Sequence, residues 1–116
     1  MQPVLLRNVS VPTVETNPVT QASVLLPTTA AHTVITVTAS PTLVLPANPS
    51  RIWWIVHNDS GSVVYLKFGP GCSSDSFTHR LTAQSGYEPP LACYTGEITA
   101  ARASGTSNLQ VTEIVS

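Results

Sequence analysis

Short runs of alternating apolar and polar residues recur along this chain, and almost nothing repeats at the three-to-four spacing of a helix. In Thr33-Val34-Ile35-Thr36-Val37-Thr38-Ala39, Ile35 and Val37 share one side while Val34, Thr36 and Thr38 share the other. Leu43 and Leu45 continue that rhythm up to the turn Pro46-Ala47-Asn48-Pro49-Ser50. Arg51-Ile52-Trp53-Trp54-Ile55-Val56-His57 is apolar on both sides through its middle, as expected of a central strand covered on both faces. Asn58-Asp59-Ser60-Gly61 has the chemistry of a tight turn, and Val63-Val64-Tyr65-Leu66-Lys67-Phe68 then runs back, so these two runs are expected to form a hairpin.

Gly69-Pro70-Gly71 ends that strand. Phe77, His79 and Leu81 then alternate with Thr78, Arg80 and Thr82. Gly86 to Pro90 reads as a break, Ile98 to Arg102 as another strand, and Leu109 to Ile114 as the last one, after a turn at Ser104-Gly105-Thr106-Ser107-Asn108. About six short strands separated by polar turns predict an all-β fold: a small antiparallel β-sandwich, jelly-roll-like, over residues 33–116.

Residues 1–32 follow a different pattern. The first fifty residues hold seven prolines and two charges, Arg7 and Glu15, among many Val, Leu and Thr. A solvated tail is normally charged and poor in apolar residues, and a core strand does not tolerate proline at such intervals because each one removes a ladder donor. The segment is therefore expected to be an extended N-terminal arm whose apolar residues serve another chain's surface. Its expected anchors are Val4, Leu5, Leu6, Val24, Leu25 and Leu26. Fully extended, 32 residues reach on the order of 100 Å.

Composition sharpens this picture. The chain has 116 residues, of which only 9% are charged, against about 25% in ordinary domains. So little charge suggests an outside that partners cover. A net charge of −1, with Arg7, Arg51, Lys67, Arg80 and Arg102 scattered, provides no basic face for nucleic acid. No apolar run approaches the ~20 residues of a membrane span, and the first residues lack the basic start and apolar run of a secretory signal. Neither a nucleic-acid nor a membrane partner is expected.

Catalytic and metal chemistry find little support. Asp75, Ser76 and His79 are triad residue types without a glycine-flanked nucleophile elbow, and on one strand Ser76 and His79 would face opposite sides. His32, His57, His79, Cys72 and Cys93 match no zinc spacing. No enzyme activity, metal or cofactor is expected, and the two cysteines are expected to be reduced and semi-buried. The Asn-x-Ser matches at Asn8 and Asn58 are read as chance. Trp53 and Trp54 must point to opposite faces, so one can enter the core. The other can be covered by the chain's own arm, anchor a neighbouring protein, or stack on a sugar. Either one is a candidate body-interface residue.

Several segments together resemble a group of small virion proteins of tailed bacteriophages, over about residues 42–114. They are Ala47-Asn48-Pro49-Ser50-Arg51, then Ile55-Val56-His57-Asn58-Asp59-Ser60-Gly61, then Val64-Tyr65-Leu66-Lys67-Phe68-Gly69. Gly86-Tyr87-Glu88, Tyr94-Thr95-Gly96-Glu97-Ile98-Thr99-Ala100, Ser104-Gly105-Thr106 and Val111-Thr112-Glu113 complete the order. Trp53-Trp54 and the stretch Cys72-Ser73-Ser74-Asp75 depart from the pattern. The resemblance implies a capsid cement (decoration) protein: a β-sandwich on the outer face of a phage head, assembled in the host cytoplasm, reinforcing joints between major capsid protein subunits. Neighbouring copies of the chain are further expected partners, a trimer being preferred to a dimer. The rival expectation is a tail, head-fibre or baseplate component that binds host carbohydrate through Tyr87 and Tyr94.

Overall fold

The computed structural model describes residues 26–90 and 93–116, and these residues contain strands and no helix. Eight strands follow in order: β1 (Thr29–Val37), β2 (Thr42–Leu45), β3 (Arg51–Asn58), β4 (Val64–Phe68), β5 (His79–Leu81), β6 (Gly86–Tyr87), β7 (Ile98–Ala101) and β8 (Ser107–Val115). They form two four-stranded antiparallel sheets, one ordered β1-β8-β3-β6 and the other β2-β7-β4-β5. Pairing is nested: first with last, second with seventh, third with sixth, fourth with fifth. That is a jelly roll, the eight-strand form of the expected β-sandwich.

The core lies between the sheets and is filled by alternate residues of each strand. Val37, Val44, Trp54, Val56, Val64, Leu66, Leu81, Ile98, Leu109 and Val111 are among its buried members. Trp54 is the largest, wholly enclosed, and meets Phe68 edge-on at 5.6 Å between ring centres. Arg51 is the buried charge of the described residues. An irregularity in pairing between Arg51 and Trp53 shifts the alternation, so Arg51 is buried as Trp54, Val56 and Asn58 are. Its Nε donates to Glu113 Oε2 at 2.7 Å, and its terminal nitrogens donate to the carbonyls of Pro46, Tyr94 and Gly96. One side chain thereby ties β8, the end of β2 and the approach to β7 to β3, every bond being charge-assisted.

The structure corrects several sequence expectations. The runs 51–57 and 63–68 are no hairpin: β3 and β4 lie in different sheets. Asn58 explains this. Its buried amide nitrogen donates to the carbonyls of Ser62, Leu81 and Thr82, and its oxygen accepts from Ser60 Oγ at 2.7 Å. A side chain whose two N–H groups are shared among carbonyls of the β3–β4 loop, the end of β5 and the residue after it holds a corner between sheets open, where a tight turn would fold the strands together. The same burial removes Asn58 as a glycan acceptor. β1 begins at Thr29, four residues before the expected body boundary, because Thr29–His32 continue the ladder opposite Thr112–Val115. Gly86 and Tyr87, expected in a break, form β6 beside β3. Phe77 does not share a side with Leu81: it lies outside β5 against Tyr65, with ring centres 4.8 Å apart, while Leu81 is buried.

Candidate interaction surface

The two sheets differ in what covers their outer sides. On the β2-β7-β4-β5 sheet, Thr99 and Ala101 point outward yet are buried, because the β4–β5 connection folds over them. Its positive-φ glycines, Gly69 at 128° and Gly71 at 76°, permit the reversal. Cys72 sits beneath, fully enclosed: its N–H donates to Thr99 Oγ1, and its thiol donates to Tyr65 O at 3.2 Å. Thr99 Oγ1 in turn donates to Gly69 O at 2.7 Å. Burial pushes the Cys72 thiol pKa up, with Lys67 nearby partly offsetting the rise. Cys93 is likewise a free thiol with its pKa raised by burial.

The outer side of the β1-β8-β3-β6 sheet has no such lid among the described residues. The registers align its side chains in three rows: Ala30, Ile114, Trp53; His32, Thr112, Ile55; Val34, Gln110, His57. At ordinary strand spacing and rise, the patch measures about 10 by 14 Å between its outermost α-carbons. Val34 is 51% exposed and Ile55 40%, while Trp53 and Ile114 are half-buried. None of these nine positions carries Lys, Arg, Asp or Glu. Two of its polar side chains engage each other, His32 Nε2 lying 2.7 Å from Gln110 Oε1, and Gln110 Nε2 donates to Asp59 Oδ2 at 3.3 Å at the rim. A field free of Lys, Arg, Asp and Glu that carries a tryptophan and aliphatic side chains suits burial against another protein.

Of the two tryptophans, then, Trp54 belongs to the core and Trp53 to the surface. Among the expected arm anchors, Val4, Leu5, Leu6, Val24 and Leu25 lie outside the described residues. Leu26 lies within them and is 65% exposed. Tyr87 and Tyr94, the carbohydrate candidates, gather with Phe68 and His79 at one end of the sandwich. Tyr94 stacks on Phe68 at 4.8 Å and 11°, while Tyr87 packs on Trp54 at 5.4 Å and on His79 at 4.6 Å. Each ring has at least one aromatic partner within the chain.

The triad residue types are occupied separately. Ser76 Oγ accepts from Lys67 Nζ at 2.8 Å, and the Asp75 amide donates to Ser73 Oγ. His79 packs against Tyr87. No cluster of three or more His, Cys, Asp or Glu suited to a metal occurs among the described residues. Sequence reasoning missed Ile114, Val34 and Ile55 as companions of Trp53, because their common face depends on β8 inserting between β1 and β3. That long-range pairing leaves no local signal.

No family model, no curated protein and no solved structure matches this chain.

Proposed function

We propose that this protein is a bacteriophage capsid cement (decoration) protein, a non-enzymatic module binding the outer shell at joints between major capsid protein subunits. One observation carries the reading: a sheet face without Lys, Arg, Asp or Glu that carries Trp53, Ile55, Ile114 and Val34 and has no cover among the described residues, while the β4–β5 connection covers the other sheet. Burying side chains of this kind contributes roughly 1.5–3 kcal/mol each. Many copies on one lattice gain further by avidity, so a small footprint suffices. The near absence of charge agrees with a surface meant for protein contact, and the resemblance across residues 42–114 to phage virion proteins points the same way. Neighbouring copies are the second partner, a trimer at a threefold junction being preferred.

Jelly rolls build both capsid and lectin domains, so the fold alone does not decide between cementing and carbohydrate binding. The tail, head-fibre or baseplate alternative rests on Tyr87 and Tyr94. Their stacking on Phe68, Trp54 and His79 leaves less ring surface for a sugar.

The test is co-sedimentation with expanded capsids of the phage that encodes the chain. Wild-type protein binds stoichiometrically, and Ile55→Asp, which places a charge mid-face, lowers affinity by at least thirtyfold, about 2 kcal/mol. Wild-type protein that stays in the supernatant, while a glycan array retains it, overturns the cement reading in favour of the alternative.

A further inference from the structure

Among the described residues four strands lie at sheet edges, and three are protected against pairing. β6 has two residues and is soon followed by Pro89 and Pro90; β5 has three and an exposed Arg80. β2 has four, a register shift between Leu43 and Leu45, and prolines Pro41 and Pro46 on either side. β1 has none of these devices: nine residues in unbroken register, without proline or a Lys, Arg, Asp or Glu. Such an edge is a template for another strand.

The ladder fixes which groups it offers. Asp59 N–H bonds Asn108 O, so even-numbered residues of β8 bond toward β3 and odd-numbered ones toward β1. On β1 the odd-numbered partners are used, leaving the N–H and C=O groups of Ala30, His32, Val34 and Thr36 facing the open edge. Beside that edge, where β1 projects past β2, lies an open groove of about 310 Å³. It is lined by Ala31, Thr33 and Ile35 on one side and Leu43 and Leu45 on the other, with Glu113, held by Arg51, also lining it.

We infer that the β1 edge and this groove receive residues 19–25 of a second copy of the chain, so that copies assemble by exchanging N-terminal segments. The occupant follows from what precedes Leu26. Val19-Thr20-Gln21-Ala22-Ser23-Val24-Leu25 lies between Pro18 and Pro27 without proline or charge and is rich in β-forming residues. Seven residues span about 23 Å as a strand, a length that nine-residue β1 accommodates. The segment's own β1 is disfavoured as its receptor. Tight reversal back onto β1 needs a turn with positive φ, usually at glycine or asparagine. The junction Leu26-Pro27-Thr28 has neither residue, Pro27 and Thr28 show no positive φ, and Thr28 N–H is committed to Val115 O at 2.9 Å. Exchange in which each copy gives to the next is heterologous, and forms a ring where the rotation between copies closes. Main-chain bonds supply affinity, and the groove's apolar walls fix register. Nothing in this assembly depends on what surface the copies decorate.

The test mixes two full-length variants, Ser23→Cys and Thr33→Cys, treats them with a short bifunctional thiol reagent, and uses wild-type chain to measure background from Cys72 and Cys93. Covalent dimers joining the two variants, well above background, are expected, together with a sedimentation mass that is a multiple of 12.3 kDa. Val34→Pro removes an edge-facing donor, along with one side chain of the open face, and is expected to give monomers with at least tenfold less crosslinking, a readout independent of capsid binding. Should its circular dichroism show lost structure, Thr33→Lys, charging the groove wall, is measured in its place. A monomeric wild type, no linkage above background, linkage confined to single chains in a Ser23→Cys/Thr33→Cys double variant, or unchanged assembly in the folded blocking variant each overturns the inference. Capsid binding is measured separately, so loss of cementing with intact exchange is distinguishable from the reverse.

Discussion

The outer sides of the two sheets are treated in opposite ways. Over the β2-β7-β4-β5 sheet, the chain folds a loop, buries Cys72 and Thr99, and packs Phe77 on Tyr65. Over the β1-β8-β3-β6 sheet it leaves Trp53, Ile55, Ile114 and Val34 without a cover among the described residues. A sequence able to spend ten residues lidding one face and not the other has separated two tasks. One face is packed by the chain's own loop, and the other, on the function proposed above, serves association.

Perturbing both faces tests that separation, and the largest effect belongs to the lidded one. Cys72→Asp places a carboxylate where no water reaches and is expected to cost at least 3 kcal/mol in denaturant unfolding. Ile55→Asp on the open face is expected to change unfolding by less than about 0.5 kcal/mol, confining its effect to capsid binding. Equal destabilisation by the two would erase the distinction between faces. Phe77→Ala removes one half of an exposed aromatic pair, with an expected loss of about 1 kcal/mol and no effect on binding. The smallest effect concerns pH. Because burial raises the Cys72 pKa, folded and unfolded chains both keep the proton below the ordinary thiol value of about 8.5. Above it the unfolded chain releases the proton first, so stability falls as pH rises. Cys72→Ala should flatten that alkaline decline in a series of denaturation curves, and an identical slope would refute the assignment.

Local pattern alone disclosed the β class, the main strands and the opposed tryptophans, because alternation is a property of neighbouring residues. It misread the connection after Asn58, where turn-forming residues mark a corner between sheets. What decides there is the carbonyls of Leu81 and Thr82, more than twenty residues on, meeting the same amide as nearby Ser62. The role of Arg51 was equally hidden: its partners Pro46, Tyr94, Gly96 and Glu113 converge only when the jelly roll closes. Trp53 was visible as a candidate, whereas its neighbours on the face were not, since β8 brings them together from the far end of the sequence.

The Thr28–Val115 bond carries a mechanical consequence. Thr28 extends β1 by one further bond to β8, and nine register pairs hold β1 to β8. A pull on Thr28 along the strand, with the sheet face held fast, loads those pairs together in shear. Rupture would then require many bonds to fail at once instead of opening one after another. The geometry makes β1 a tether suited to sustained tension.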